Sequence, residues 1–347
     1  MSRILVTGGA GFIGSFAVRA LARAGHDVVV YDNLRQGHAE AIDALNAAAP
    51  AGRAPIRLVT GDIRDGAAVK AALTEHRIDA VMHFAAWLLV GESVSQPVAY
   101  YENNVGGAIA VLGAMAETGV NAFIFSSTAA TFGEPERTPI DETHPQKPIN
   151  TYGETKLAIE RALPHFERAY GIRSVVLRYF NAAGADPDGV IGEDHRPEVH
   201  LIPRAIDAVM GAEPLAIFGD DYATPDGTCL RDYVHVVDLA DAHLLALGHL
   251  AGGGTSRAYN LGIGQPFSVR QVLDAVAAVT GRPVPHSMGP RRPGDPGVLY
   301  ATPEKIRREL GWTPAYTELR AIVDTAWQWR RRHPNGYAGA AGAGSGR

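Results

Sequence analysis

Residues 7–14 read Thr7-Gly8-Gly9-Ala10-Gly11-Phe12-Ile13-Gly14, and this stretch decides the fold class. It follows a short apolar run at residues 4–7 and opens an amphipathic helical pattern at residues 13–24. The glycines at every third position are Gly8, Gly11 and Gly14. Glycines at this spacing let the backbone turn tightly and approach a pyrophosphate, which the first N–H groups of the helix then face. The stretch therefore predicts a dinucleotide-binding strand–loop–helix unit.

Strand-like and helical patterns alternate through the first half of the chain. Strands are predicted at residues 4–7, 28–31, 57–60, 80–83, 122–125 and 174–178. Helices are predicted at residues 13–24, 67–76, 105–117 and 152–170, and residues 47–55 are predicted to form a loop. Alternation of helices with continuous apolar strands indicates an α/β fold with a Rossmann-type, doubly wound parallel sheet.

The pattern changes after about residue 180. Proline and glycine cluster at residues 184–197, 219–227 and 283–297, with short strands and helices between them. We expect a dinucleotide-binding domain at residues 1–180 and a smaller α/β domain at residues 181–337 that mainly binds the substrate. Residues 338–347 (AGAAGAGSGR) are small and of low complexity, which predicts a disordered tail.

Composition limits the classes of function. The 347 residues carry a formal net charge of −5, which gives no reason to expect a nucleic-acid partner. The lone cysteine, Cys229, allows no intrachain disulfide. No signal-peptide pattern and no apolar run of about 18 residues is present, so we expect a cytoplasmic protein with no membrane partner. The 13 histidines form none of the common zinc motifs, so no metal is predicted.

Two acidic positions follow the predicted second and third strands. Asp32 lies 18 residues after Gly14, where a carboxylate can accept hydrogen bonds from a ribose 2′-OH and would repel a 2′-phosphate. This favours NAD over NADP, although Asp32 with Asn33 could instead form only a turn. Asp62 and Ile63 end the third strand, where they could hold the adenine edge or cap the next helix.

Tyr152 and Lys156 are four residues apart, which places them on one face of the predicted helix at residues 152–170. A free tyrosine has a pKa near 10, so as a base at pH 7 it falls short by about 3 units, or roughly 4 kcal/mol. One positive charge at ~4 Å, with an effective dielectric constant of ~20, supplies about that much. The pair is therefore a candidate proton-transfer unit, although the same spacing also suits a solvated surface pair.

In this order, the glycine stretch, Asp32 and the Tyr152/Lys156 pair resemble the extended short-chain dehydrogenases/reductases. From about residue 3 to residue 337 the chain is similar to the UDP-glucose 4-epimerases of that family. The segments that carry this resemblance are HFAA at 83–86, VGESV at 90–94, YENN at 101–104, SSTAATFG at 126–133, LRYFN at 177–181, LAIFG at 215–219, RDYVH at 231–235 and RRPGD at 291–295.

The resemblance implies an isomerase that interconverts UDP-glucose and UDP-galactose at C4 through a transient 4-keto sugar, with tightly held NAD. Tyr152, as phenolate, would take the proton of the sugar 4-OH, and Lys156 would lower the pKa of Tyr152 and bind the nicotinamide ribose. Thr128 would pass the proton from the sugar to Tyr152, although the hydroxyls at residues 126–128 could serve only the turn there. The resemblance also implies a homodimer, with interface helices near residues 98–118 and 152–170.

The resemblance further implies two sets of binding residues. NAD contacts are expected at Gly8, Gly11, Phe12, Ile13, Gly14, Asp32, Asn33, Asp62, Ile63, Phe84, Ala85, Ala86, Leu88, Asn103, Thr128, Tyr152, Lys156 and Phe180. UDP-sugar contacts are expected at Thr128, Tyr152, Asn181, His200, Leu201, Ala216, Phe218, Arg231, Tyr233, Arg292, Asp295 and Leu299. Arg231 and Arg292 suit the diphosphate, because guanidinium groups bind phosphate bidentately.

Three positions depart from the common family pattern. Leu88 replaces a lysine near the nicotinamide, His200 replaces an asparagine that contacts the hexose, and Leu299 replaces a tyrosine that narrows the sugar pocket. A leucine at position 299 could admit an N-acetyl group, unless Tyr300 closes the gap. A 4-epimerase of UDP-GlcNAc/UDP-GalNAc, UDP-xylose/arabinose or UDP-glucuronate is therefore the alternative.

Two other functions fit the residues less well. Dehydratase relatives carry Asp-Glu directly after the hydroxyl residue, whereas Thr128 is followed by Ala129 and Ala130. A non-catalytic NAD-binding regulator on the same fold usually lacks the tyrosine, the lysine or the hydroxyl, and this chain has all three.

Overall fold

The computed structural model describes residues 1–292 and 296–338. In this part of the chain no helix has the length and apolar character needed to cross a lipid bilayer. Asp295 and residues 339–347, which include nearly all of the predicted disordered tail, lie outside the described residues.

Short strands run through the whole described chain. They are β1 (Arg3–Thr7), β2 (Asp27–Asp32), β3 (Arg57–Thr60), β4 (Ala80–His83), β5 (Ala122–Thr128), β6 (Arg173–Tyr179), β7 (Asn181–Ala183), β8 (Leu215–Phe218), β9 (Leu230–His235), β10 (Arg257–Leu261), β11 (Pro266–Ser268), β12 (His286–Gly289) and β13 (Val298–Leu299).

Helices connect most of these strands. They are α1 (Phe12–Arg23), α2 (Ala39–Ala47), α3 (Gly66–Glu75), α4 (Val90–Ser95), α5 (Pro97–Tyr100), α6 (Gly107–Thr118), α7 (Thr151–Tyr170), α8 (Leu201–Val209), α9 (Val236–Ala251), α10 (Val269–Thr280), α11 (Glu304–Leu310) and α12 (Leu319–Arg332). A π-helix at Tyr101–Gly106 and a 3₁₀ turn at Ala129–Thr131 complete the set.

Seven strands form a parallel sheet in the order β10-β6-β5-β4-β1-β2-β3. Its central strands are buried on both sides: α1, α2 and α9 pack on one face, and α3, α6 and α7 on the other. The predicted Rossmann-type, doubly wound fold is confirmed. The strand order reverses between β1 and β4, which opens a crevice at the carboxyl ends of the strands, where such sheets bind ligands.

Residues after 180 build a second, smaller layer. β7, β11 and β13 pair with β9, and β8 pairs with β12. A separate apolar core lies among α8, α10 and α12. However, α9 packs on the main sheet and β10 forms its edge beside β6, so this part of the chain also completes the first layer. The division into domains at residue 180 stays a prediction.

The predicted bounds agree with the structure at β3 and β4, and the other predicted strands and helices differ by up to three residues at their ends. The prediction missed α2, α4 and α5. The helix predicted to start at residue 105 starts at Gly107, because a π-helix occupies the residues before it. In that π-helix, the Asn104 side chain bonds the backbone of Trp87 and the Thr155 hydroxyl, which ties it to α7 and to the loop after β4.

Candidate active site

A cavity of about 450 Å³ lies at the carboxyl ends of β1, β2, β4, β5 and β6. Its wall contains most of the predicted site residues. These are Gly8, Gly11, Phe12, Ile13, Gly14, Asp32, Asn33, Ile63, Phe84, Ala85, Ala86, Leu88, Asn103, Thr128, Tyr152, Lys156, Phe180, Asn181, His200, Leu201, Tyr233 and Leu299. Residues that are far apart in the sequence thus meet at one edge of the sheet.

The glycine loop after β1 leaves no space for larger residues. Gly8 has a φ of +70°, and a Cβ there would lie 2.5 Å from the backbone nitrogen of Ala85. A Cβ on Gly14, in the first turn of α1, would lie 2.1 Å from the carbonyl oxygen of Gly8. The loop therefore packs tightly under the start of α1 and exposes backbone to the cavity, as a bound pyrophosphate requires.

Asp32 makes turn contacts with the backbone, and its contact with NAD stays a prediction. Its buried carboxylate accepts hydrogen bonds from the backbone nitrogens of Ala10, at 3.0 Å, and Leu34, at 2.9 Å, and it also lies in the cavity wall. Burial raises the pKa of Asp32, and the two backbone hydrogen bonds oppose that rise. The glycine loop and this carboxylate together fit the pyrophosphate and adenine ribose of NAD.

Asp62 and Ile63 have separate surroundings. Ile63 lies in the cavity wall, whereas Asp62 does not. The Asp62 carboxylate pairs with Arg64, with contacts of 2.7 and 2.9 Å, and this pairing lowers the pKa of Asp62 to about 2. The cap of α3 is Asp65, which accepts from the backbone nitrogen of Ala68 at 3.0 Å.

On α7, Lys156 is buried and Tyr152 is half-buried in the cavity wall; the helix begins where Asn150 accepts from the backbone nitrogen of Gly153. The Nζ of Lys156 donates to the carbonyl oxygen of Ser126 at 2.9 Å and lies 6.0 Å from the centroid of the Tyr152 ring. Tyr152 hydrogen-bonds Thr128. The pair is therefore an interior one and not a solvated surface pair.

Burial changes the pKa values of both Tyr152 and Lys156. It raises the pKa of Tyr152 to about 12, which the hydrogen bond to Thr128 opposes. It also lowers the pKa of Lys156 to about 7, against the attraction of Glu160. The expectation that Lys156 alone brings the Tyr152 pKa down towards neutrality is wrong, because burial raises that pKa instead. A helical spacing gives the distance between two groups but not the loss of solvation of the phenolate.

A buried ion pair lies behind Lys156, and the sequence analysis missed it. Arg178 on β6 contacts the carboxylate of Glu160 on α7 at 2.6 Å. The same carboxylate accepts from the hydroxyl of Ser127 at 2.5 Å and from the side-chain amide of Gln146 at 3.0 Å. Glu160 lies four residues after Lys156, and this helical spacing was the one sequence signal that could have indicated that the two side chains are neighbours.

Tyr179 is a second residue of the cavity wall that the sequence analysis did not single out. It hydrogen-bonds the hydroxyl of Ser126, whose carbonyl holds Lys156. Burial raises the pKa of Tyr179, so the neutral phenol is favoured there. The sequence signal that could have identified Tyr179 was its position inside the LRYFN segment at residues 177–181.

Several predicted UDP-sugar contacts are not brought to the cavity wall. Ala216 lies on β8, and the guanidinium carbon of Arg292 stacks 3.8 Å from the centroid of the Phe218 ring. Arg231 donates to the carbonyl oxygen of Leu230 at 2.8 Å. Asp232 is buried and accepts from the backbone nitrogens of Ile263, Gly264 and Ala301, so it forms part of the scaffold.

Leu299 lies in the cavity wall on β13 and packs in a small apolar cluster with Phe180. The neighbouring main chain is held on both sides: β13 pairs with β9, and Ile140 bonds the backbone of Tyr300 and Thr302 at 2.9 and 3.0 Å. Tyr300 is not part of the cavity wall, so its side chain does not fill the space beside Leu299 in this structure.

A cluster of two histidines and two carboxylates borders the same cavity. His200 is the N-cap residue of α8, and its Nδ1 contacts the Glu193 carboxylate. His195 also lines the cavity, between Glu193 and Glu198. Although burial lowers the pKa of His195, the two carboxylates raise it to about 10. The sequence analysis selected only His200 from this group.

The comparisons with known proteins agree with this arrangement. The chain belongs to the NAD dependent epimerase/dehydratase family, whose model matches residues 4–262. Within that family it is similar to curated UDP-glucose 4-epimerases, and the one from Halalkalibacterium halodurans is 52% identical over 336 residues, or 96% of this chain and 97% of the relative.

The chain is also similar to solved structures of UDP-glucose 4-epimerases. UDP-glucose 4-epimerase from Brucella ovis in complex with NAD has a TM-score of 0.89 and 48% identity, covering 94% of this chain and 98% of that chain. The enzyme from Bifidobacterium longum in complex with NAD+ and UDP has a TM-score of 0.91 and 37% identity, covering 96% of this chain and all of that one.

Proposed function

We propose that this protein is an NAD-dependent isomerase that interconverts UDP-glucose and UDP-galactose at C4 through a transient 4-keto sugar. The observation that carries the proposal is the meeting of Thr128, Tyr152 and Lys156 with the glycine loop in one cavity. The high identity to curated UDP-glucose 4-epimerases along nearly the whole chain supports the same reaction.

The residues that would hold NAD are the glycine loop, Asp32, Ile63, Phe84 and Asn103, all in the cavity wall. When bound, NAD supplies reversible hydride acceptance. The buried Asp32 carboxylate favours NAD over NADP, because a 2′-phosphate beside it would be repelled. The replacement of lysine by Leu88 removes one polar contact, and the close fit at Gly8 and Gly14 remains.

Tyr152 would take the proton of the sugar 4-OH, and the hydroxyl of Thr128 lies beside it as the relay. With a pKa of about 12 for Tyr152, ionisation at pH 7 costs about 7 kcal/mol. This cost keeps the phenol protonated at pH 7. We infer that Tyr152 becomes a base only when binding places positive charge and hydrogen-bond donors beside its oxygen.

Lys156 would contribute to that change. Its Nζ is held by the Ser126 carbonyl, on the same side of α7 as Tyr152, and the Glu160–Arg178 pair fixes the turn behind it. With a pKa of about 7, Lys156 can gain or lose a proton at neutral pH. Its charged form then favours ionisation of Tyr152 and suits a hydrogen bond to a ribose hydroxyl.

The nucleotide-sugar half of the cavity would be formed by Asn181, His200, Leu201 and Tyr233. We place the hexose between Tyr152 and Leu299 and the uridine towards the second layer. The roles of Ala216, Phe218, Arg231, Arg292 and Asp295 in binding uridine and diphosphate stay predictions.

Leu299 favours a second candidate activity, the epimerisation of UDP-GlcNAc and UDP-GalNAc. Its side chain is shorter than the family tyrosine, and Tyr300 does not occupy the space beside it. The cavity therefore has room at the position where we expect the C2 substituent. Epimerisation of UDP-pentoses or UDP-glucuronate finds no comparable support among the described residues.

We also propose a cytoplasmic homodimer with residues 1–180 as the NAD half and residues 181–337 as the UDP-sugar half. Residues 90–118 expose apolar side chains, among them Val94, Val98, Tyr101 and Ile109. A partner copy would cover them in a standard apolar interface. Light scattering of the purified chain should give twice the monomer mass, and Val98→Glu should shift it towards the monomer.

The direct experiment is to incubate the purified protein, without added cofactor, with UDP-glucose or UDP-galactose and to follow both sugars by NMR. Conversion to one equilibrium mixture from either side supports the proposal, and Tyr152→Phe is the matched control. The acetamido pair, run in parallel, tests the role of Leu299. If neither pair is converted even with added NAD, the proposed reaction is wrong.

A further inference from the structure

We propose that Glu193, His195, Glu198 and His200 form a binding site for one divalent transition-metal ion, with Zn²⁺ as the best match. One donor atom from each of these residues lies within 4.8 Å of all the others. The four come from a single eight-residue segment with the spacing Glu-x-His-x-x-Glu-x-His. None of the common zinc motifs has this spacing, which is why the sequence analysis predicted no metal.

Three nitrogen–oxygen distances within the cluster are close to those around a tetrahedral ion. Nδ1 of His195 lies 3.2 Å from Oε1 of Glu193 and 3.5 Å from Oε2 of Glu198, and Nδ1 of His200 lies 3.7 Å from the other oxygen of Glu198, Oε1. Zinc binds nitrogen and oxygen at about 2.0–2.2 Å, which puts neighbouring tetrahedral donors roughly 3.4 Å apart. A fourth nitrogen–oxygen contact, between His200 and Glu193, is closer and would open on binding.

The donor set selects among metals. Imidazole nitrogens with carboxylate oxygens suit Zn²⁺ and its neighbours, whereas Mg²⁺ prefers a shell of oxygens and retained water. His195 favours a ligand role for a second reason. Its buried Nδ1 lies beside two carboxylates but makes no hydrogen bond of regular geometry.

The segment is already fixed near its start, at Asp194, so little ordering would be needed there to bind an ion. The carbonyl oxygen of Asp194 contacts the Nε2 of His38 at 2.9 Å, and its carboxylate accepts from the backbone nitrogen of Tyr337 at 2.9 Å. These contacts point Asp194 away from the cluster. Its neighbours Glu193 and His195 are thereby held in place while the ion is absent.

The site would have a mechanical role beside the cavity. His195 and His200 both lie in the cavity wall, and His200 starts α8. An ion shared by the four residues would hold the start of α8 against the preceding loop and stiffen this side of the cavity. This inference goes beyond the proposed epimerase reaction and does not depend on it.

The test is zinc binding by the untagged full chain after treatment with a chelator. ZnCl₂ is added, free ion is removed by dialysis, and bound zinc is counted by elemental analysis. We expect one zinc per wild-type chain and weaker binding, by more than about tenfold, in His195→Gln and in Glu198→Gln, since even outer-shell changes cost that much. His165→Gln, on the exposed surface of α7, is the matched control and should bind like the wild type.

Two further readouts complete the test. Co²⁺ in place of zinc should give the visible absorption of a tetrahedral ion in the wild type and not in His195→Gln, and MgCl₂ should not compete. Thermal unfolding shows whether each variant is folded, because zinc should raise the unfolding temperature only where the site is intact. Substoichiometric zinc, or equal binding in wild type, His195→Gln and Glu198→Gln, would overturn the site and leave an ion-pair cluster only.

Discussion

Gly14→Ala tests whether the close packing of the glycine loop is what holds NAD. The added Cβ would lie 2.1 Å from the carbonyl oxygen of Gly8 and 2.9 Å from Cα of Gly9, both backbone atoms that cannot rotate away. The loop must therefore move by about 1 Å, an overpacking change that typically costs about 1–3 kcal/mol. Alanine at a helical position favours α1 by about 1 kcal/mol, so the fold should survive.

The displaced loop no longer presents its backbone to the pyrophosphate in the same geometry. If the overpacking cost of about 1–3 kcal/mol destabilises only the complex with NAD, the affinity for NAD drops by about 5- to 150-fold. Each 1.4 kcal/mol of binding free energy changes the affinity tenfold. The assay is the NAD content of the purified variant, released by acid and measured by chromatography, followed by titration of NAD into the emptied protein.

Gly248→Ala is the matched control. Gly248 is exposed on α9 with no atom within 4 Å of the added Cβ, so the same change there should leave NAD binding unaltered and slightly stabilise the helix. Wild-type NAD content and affinity in folded Gly14→Ala would refute the reasoning. Loss of NAD in both variants would refute it equally.

The remaining predictions concern the cavity wall. Tyr152→Phe should lower turnover of UDP-galactose by at least about a hundredfold while NAD content stays normal, because only the proton-transferring oxygen is removed; a near-normal rate would contradict its role as the base. The folded-state pKa of Lys156, about 7, lies below its ordinary value of 10.5, so the unfolded chain binds more protons between these values and wild-type stability should rise with pH across that window. Denaturant titrations should show this rise, up to roughly 5 kcal/mol, in the wild type relative to Lys156→Met, and parallel curves would be the contrary result. Leu299→Tyr should reduce turnover of UDP-GlcNAc relative to UDP-glucose in competition assays, and an unchanged ratio would show that position 299 does not limit the sugar.

Local patterns predicted much of the fold. The glycine stretch and the apolar runs at β1 to β6 depend on residues near one another in the sequence, and all of them were found. Two features that the sequence did not predict, the π-helix and the place of β10, depend on distant contacts. The π-helix is tied through Asn104 to Trp87 and Thr155, and β10 takes its place through pairing with β6.

For the candidate site, too, the sequence predicted some properties and not others. The placement of Thr128, Tyr152 and Lys156 in one cavity with Asp32 follows from where β2 and β5 end and where α7 begins. Their ionisation does not, because the Tyr152 pKa depends on how completely the surrounding chain excludes water. The ion pair between Glu160 and Arg178 joins a helix to a strand, and neither residue alone indicates it.

The main chain around Leu299 is fixed independently of the side chain that it carries. Pairing of β13 with β9, the hydrogen bonds to Ile140 and the acceptance of the Ala301 amide by Asp232 all involve backbone atoms of this segment. A substitution at position 299 can thus widen or narrow the cavity while the backbone of β13 and of the strands and loops that it bonds keeps its geometry. Enzymes that descend from one ancestral gene can in this way come to accept different sugars through single substitutions. The residues that carry out the reaction need not change.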